Sequence, residues 1–253
     1  VAEGPSSLSA LGLGCRLSDG SWAFRDVDLE LRAGQLRLLA GRNGAGKTLL
    51  ARHLAGLLGP TEGRVLFEGV ELPKLGGSLA SRIGYVFQDA RLQTVGETVL
   101  DDALFGPTCL RTPPSEAAAR ASEALLACGL AGKEERFVHE LSGGELRRLG
   151  IAGALATGPK VLILDEPFAN LDPDGVRDTL GILKDLRDSG MALLVITHEI
   201  EKVLGLASEF FVMDQGKIVL SGSPEDVLRR GIEGYGLRDP FRPRTSVKDL
   251  SWL

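Results

Sequence analysis

Apolar and polar residues alternate from Trp22 onward. Val27, Leu29 and Leu31 share one face with Asp28, Glu30 and Arg32 between them, a period of two that predicts a half-buried strand. Gly34 then permits a turn into the unbroken apolar run Leu36–Ala40, read as a hairpin feeding a buried strand. After a glycine-rich loop, Leu50, Leu54, Leu57 and Leu58 recur at i, i+4, i+7 and i+8, which predicts an amphipathic helix stopped by Gly59-Pro60. Residues 62–72 predict a second hairpin with Glu68-Gly69 at its tip, whereas residues 1–14 are small, Gly- and Ser-rich and weakly patterned.

The middle third changes character. Pro113-Pro114, with Ser115 as N-cap, predicts an Ala-rich helix ending at Gly129, and a second helix runs from Gly143-Gly144 to Gly158-Pro159. Short apolar runs then return at Val161–Leu164, Leu193–Ile196, Phe210–Met213 and Lys217–Leu220, with a helix after Pro173. Apolar strands separated by helices imply a parallel sheet covered on both faces. The expected architecture is an α/β core interrupted by a helical insertion over 89–159.

At 253 residues, 43% hydrophobic and 25% charged, the chain is long enough to bury a core without disulfides. Its 33 glycines exceed the usual share of roughly 7%, which places them in turns and in loops that approach a ligand closely. With 29 basic against 34 acidic side chains the net charge is −5, which argues against a nucleic-acid partner. Cys15, Cys109 and Cys128 have no CxxC spacing; they read as small core residues in a reducing compartment, and the scattered histidines supply no zinc set. No apolar run approaches the ~18 residues of a membrane helix, and no signal peptide is visible after Val1. A soluble, cytoplasmic protein is expected.

Gly41-Arg42-Asn43-Gly44-Ala45-Gly46-Lys47-Thr48 fits GxxxxGK[ST] between an apolar strand and an amphipathic helix, the context this motif requires. Its glycines let backbone N–H groups converge on phosphate oxygens at a helix N-terminus. Lys47 would reach the β- and γ-phosphates, and the Thr48 hydroxyl would bind Mg²⁺. Val161–Leu164 ends in Asp165-Glu166, two carboxylates at the edge of a parallel sheet where ligands bind. Asp165 suits the Mg²⁺ shell, and Glu166 suits the base that activates water. Leu141-Ser142-Gly143-Gly144-Glu145 offers an N-cap and two glycines whose N–H groups are open to an anion.

With these motifs in this order, the chain resembles the ATP-binding-cassette (ABC) ATPases over residues 12–225. Gly41–Thr48 matches Walker A, Gln88 the Q-loop, Leu141–Glu145 the signature, Val161–Glu166 Walker B, Ala169–Asp172 the D-loop and His198 the switch histidine. His53 and His139 match no motif. The resemblance implies a P-loop NTPase, RecA-like parallel core over 1–88 and 160–225 that includes an N-terminal antiparallel β subdomain. It also implies a helical signature subdomain over 89–159 and a C-terminal extension over 226–253. Two cassettes would pack head to tail, each ATP held by Walker A of one chain and by Ser142, Gly143, Gly144, Glu145 and Asp172 of the other. Gln88 would join Thr48 and Asp165 at Mg²⁺, and His198 would contact the γ-phosphate. The aromatic that usually stacks on adenine is missing: its position falls on Leu17, and Trp22 nearby is either its replacement or hairpin core.

Phe87-Gln88-Asp89, Gln93, Thr98–Asp102, Phe105-Gly106-Pro107 and the tail Gly222–Pro240, with Gly236-Leu237 and Asp239-Pro240, look like the A components of energy-coupling-factor importers. That likeness implies a membrane scaffold subunit and a substrate-binding membrane subunit for a vitamin or transition-metal ion. The cassette itself would sit on the cytoplasmic face of the membrane. Phe87, Leu92, Val95, Val99 and Phe105 would then form the groove for the scaffold or belong to the helical core. The alternative is a soluble cassette without a transport partner, for example in iron–sulfur assembly; DNA-type coiled-coil insertions and a second cassette are both missing from this sequence.

Overall fold

The computed structural model describes residues 6–241; residues 1–5, and the part of the expected C-terminal extension over 242–253, lie outside the described residues. Among the described residues ten strands form two sheets. The smaller contains β1 (Ser6–Arg16), β2 (Trp22–Arg32), β4 (Glu62–Phe67) and β5 (Val70–Glu71), antiparallel in the order β2-β1-β4-β5. The larger contains β3 (Leu36–Ala40), β6 (Ile83–Val86), β7 (Val161–Asp165), β8 (Ala192–Ile196), β9 (Glu209–Asp214) and β10 (Lys217–Gly222), in the order β10-β9-β3-β8-β7-β6. All its pairings are parallel except that of the edge strand β10.

The central strands are apolar throughout because both faces are covered. Leu162, Leu164, Leu193 and Val195 enter one cluster, while Val161, Ile163, Leu194 and Ile196 enter the other. The first cluster lies under the helical insertion: α3 (Val99–Cys109), α4 (Pro114–Ala127) and α5 (Gly143–Ala156), together with α6 (Pro173–Asp188). The second joins the larger sheet to the antiparallel sheet through α1 (Lys47–Leu54). The short helix Leu72–Leu75 is α2, Ile200–Val203 is α7 and Pro224–Arg229 is α8.

Several local expectations are corrected. β1 lies in the weakly patterned N-terminal region; its period is broken because Gly12, at φ 54°, makes a bulge, so that Ala10 and Leu13 both point inward although three apart. β3 is no hairpin partner of β2, since it crosses at Gly34 into the parallel sheet between β8 and β9. α1 stops before Gly59-Pro60: Gly56, at φ 70°, closes a Schellman motif in which Leu57 N–H donates to the Arg52 carbonyl, leaving Leu57 and Leu58 exposed. Pro113, not Ser115, is the N-cap of α4. α3 is an element beyond those expected: it holds Pro107 inside it, and Thr98 and Asp101 close a capping box that starts it. Of the cysteines only Cys128 is buried, and burial pushes its thiol up to about 12.

Candidate functional site

Parallel strands bring their carboxyl ends to one edge. There β3 runs into the phosphate loop, β6 into Phe87-Gln88, β7 into Asp165-Glu166 and β8 into Thr197-His198. The loop is held from behind. A Cβ on Gly41 would stand 1.9 Å from the Met213 carbonyl oxygen, and one on Gly46 would stand 2.8 Å from that of Ala23. Only glycine permits this approach, at φ 149° and 101° respectively. Gly44, by contrast, has open space where a Cβ would be. α1 begins at Gly46 with no side-chain cap and no acidic residue in its first turn, so its leading N–H groups remain open to an anion.

Lys47 is buried, and its ammonium donates to the carbonyls of Gly41 (2.8 Å) and Arg42 (2.9 Å). Burial lowers its pKa, opposed by the carboxylates of Glu166 and Asp165. Asp165 is buried too, and burial raises its pKa, opposed by hydrogen bonds from the Thr48 hydroxyl and from Tyr85, whose hydroxyl lies 3.1 Å away. Its Oδ1 is buried without a hydrogen-bond partner. A carboxylate with an unused buried oxygen, beside a hydroxyl, is the hard-oxygen donor set that Mg²⁺ takes, so these residues fit that ion.

Glu166 sits at φ 48°, an unfavourable backbone for a non-glycine residue, fixed by its N–H donating to the Ile196 carbonyl at 2.8 Å. Its carboxylate accepts from the Thr197 hydroxyl at 2.9 Å and meets His198 Nδ1 at 2.9 Å. The cleft beside these groups is lined by Thr48, Gln88, Asp165, Asn170, Gly143 and Arg147. Gln88 is exposed there, and its carbonyl is gripped by Arg147.

Ser142 caps α5 in a capping box with Glu145. The Glu145 carboxylate is occupied by Lys133 and by the Ser142 N–H, which together hold it at about 2; it therefore shapes the turn, leaving the Ser142–Gly144 corner open. Asp172 accepts from Gly175 N–H at 2.7 Å and caps α6. The strand that follows the β1–β2 turn stands beside the phosphate loop, since the Ala23 carbonyl lies against Gly46. In that turn Leu17 is exposed, whereas the half-buried Trp22 ring is flanked by the guanidinium groups of Arg16 and Arg25, 4.8 and 4.7 Å from its centroid. Sequence reasoning missed Tyr85, Thr197 and Arg147. Arg147 carried a signal: it occupies the buried stripe of Gly150, Ile151 and Ala154, an odd place for a charge.

A phosphate loop, a strand-end acid pair and a capped Ser-Gly-Gly corner thus occur in one chain. A family model described as "ABC transporter" matches residues 24–169. The chain belongs to that family. This cassette is 39% identical to the energy-coupling factor transporter ATP-binding protein EcfA of Methanocaldococcus jannaschii, over 84% of this chain and 77% of that one. It is 40% identical to EcfA1 of Symbiobacterium thermophilum, over 98% and 88%. Among solved structures, cbiO1 of Clostridium perfringens, part of the ABC transporter complex cbiONQ, matches with a TM-score of 0.81 at 33% identity, covering 93% of this chain and 96% of that one. The cassette is an ATPase with an α/β P-loop core, antiparallel strands and helices.

Proposed function

We propose that this ATPase powers an energy-coupling-factor importer for a small solute, a vitamin or transition-metal ion. The observation that carries the reading is the convergence of Lys47, Thr48, Asp165, Glu166 and His198 on one sheet edge, in a chain similar to two EcfA proteins. The backbone N–H groups of Gly44 and Gly46–Thr48 and the Lys47 ammonium bind the triphosphate of ATP. Thr48 and Asp165 hold Mg²⁺, with Gln88 from the neighbouring loop. Bound there, Mg²⁺ neutralises charge on the β- and γ-phosphate oxygens.

Glu166 takes the proton of the attacking water, and Thr197 holds its side chain in place. His198 contacts the γ-phosphate. The Ser142–Gly144 corner and the Asp172 turn of a second cassette close over the nucleotide, so ATP draws two chains together head to tail and hydrolysis releases them. Leu92 (81% exposed), Val95 (59%) and Phe105 (48%) suit a membrane scaffold partner, whereas Val99 is fully buried and belongs to the core. No helix among the described residues is long and apolar enough to cross a membrane, which fits a peripheral subunit.

The test is to isolate the tagged chain from detergent-solubilised membranes, identify what accompanies it and measure ATP hydrolysis. A scaffold and a small substrate-binding membrane protein are expected. A chain that hydrolyses ATP but carries no membrane protein would remove the importer and leave the ATPase.

A further inference from the structure

The second residue of the phosphate loop reaches far along the chain. Arg42 Nη2 donates to the Gly234 carbonyl at 2.7 Å. Gly234 lies in the 3-10 turn Glu233–Tyr235, which follows α8 and ends at Gly236 in the left-handed region (φ 70°). The Arg42 side chain lies against Gly236, where a Cβ would meet Cγ at 2.6 Å and Nε at 3.1 Å. The turn is firmly seated from below: Val227, Ile232 and Leu237 are buried in the core under the larger sheet. The Gly236-Leu237 pair therefore has two separate tasks, an anchor in the core and a flat seat for a guanidinium.

On the loop side, the Arg42 carbonyl accepts from Lys47 Nζ at 2.9 Å and from Ala45 N–H at 3.1 Å. One residue thus joins the tail, by its side chain, to the lysine and amides of the phosphate loop, by its backbone. A charge-assisted hydrogen bond and a glycine seat restrict where Arg42 can stand, and hence the entry of the loop from β3.

We propose that Arg42 is a positioning residue for the phosphate loop and that the Gly234–Gly236 turn is its seat, so that tail docking and nucleotide binding favour each other. The inference rests on the nucleotide-binding reading above. Linkage makes the effect reciprocal: a tail that helps the loop bind nucleotide must itself be held more firmly when nucleotide is bound.

The experiment is titration of the full chain with ADP, with hydrogen exchange followed in both states. Gly236→Ala should weaken ADP binding about fivefold, through the strained φ and the collision with Arg42. Arg42→Ala should weaken it similarly and relieve that collision, so the double variant should be no weaker than the worse single one. Arg42→Lys, which keeps a cationic donor, should recover part of the loss. ADP should slow exchange at amides 232–237 in the unaltered chain. Unchanged ADP affinity in Gly236→Ala and Arg42→Ala, strictly additive losses, or exchange at 232–237 indifferent to ADP would each overturn the proposal while leaving the ATPase intact. A well-folded chain that binds no ADP would overturn the nucleotide-binding reading and this one with it.

Discussion

His198 Nδ1 stands 2.9 Å from Glu166 Oε1, across the ends of the neighbouring strands β8 and β7. With the carboxylate accepting, Nδ1 carries the proton of that hydrogen bond. Thr197 takes the other carboxylate oxygen, so both ends of Glu166 are fixed from one strand end. Glu166→Gln keeps the size of the side chain and removes the base. Turnover should fall by about 10²–10⁴-fold while ATP binding persists, and ATP should stabilise a dimer. Phosphate release and light scattering with ATP check it; undiminished turnover would take Glu166 out of its role.

What the sequence made legible was whatever is local and periodic. Val27, Leu29 and Leu31 do face one core, Glu68 and Gly69 do form the hairpin tip, both at positive φ, and Ser142 does cap α5. The phosphate loop and Asp165-Glu166 were legible because their chemistry is compressed into contiguous residues. Long-range ties were not. Tyr85 reaches Asp165, and Arg147 reaches Phe87, across 80 and 60 residues of chain, and a one-dimensional pattern holds no trace of who meets whom. The bulge at Gly12 hid a whole strand for a different reason, since one inserted residue resets an alternation.

Asp165→Asn should divide stability from activity. Burial raises the Asp165 pKa above 3.8, so the ionised carboxylate is disfavoured in the folded chain. The sign follows: the group's favourable contribution is present below the unfolded value and is lost as pH rises through the folded one. Above the folded value the nucleotide-free chain carries that penalty, and asparagine removes it while keeping an acceptor for Tyr85. The substitution should therefore raise the melting temperature of the nucleotide-free chain and abolish Mg²⁺-dependent hydrolysis. A lower melting temperature at pH 7 would show that burial of this charge costs nothing.

Leu17 and Trp22 are separated by exposure. Leu17 is open to solvent, while the Trp22 ring is flanked by two guanidinium groups and half-buried in the hairpin. We therefore propose that Leu17, and not Trp22, covers the base, with contact but no π-face. Leu17→Tyr should tighten ADP binding, since stacking on a base contributes about 1–3 kcal/mol. Trp22→Ala should lower the melting temperature and leave ADP affinity within about twofold, a difference under 0.5 kcal/mol. Calorimetric titration of both variants decides it: a large loss of affinity in Trp22→Ala would give the adenine contact to Trp22.

Arg147 joins the Gln88 loop to the helix that begins at the Ser142 corner. Nη1 donates to the Phe87 carbonyl at 2.8 Å and Nη2 to the Gln88 carbonyl at 2.7 Å, with only 4% of the residue exposed. Gln93 adds a bridge, accepting from Phe87 N–H and donating to the Gly150 carbonyl. Hydrogen bonds from a charged donor contribute about 1.5–3 kcal/mol, so Arg147→Ala should be clearly destabilising. For a chain of this size that corresponds to a fall in melting temperature of about 2–4 °C per kcal/mol. The more specific readout is exchange at amides 87–93, which should quicken selectively as the loop comes free of α5. Arg147→Lys, whose single ammonium lacks the planar fork that spans two carbonyls, should fall between the two. If Arg147→Ala quickens exchange everywhere alike, the residue is packing and not a tie between the Gln88 loop and the signature helix.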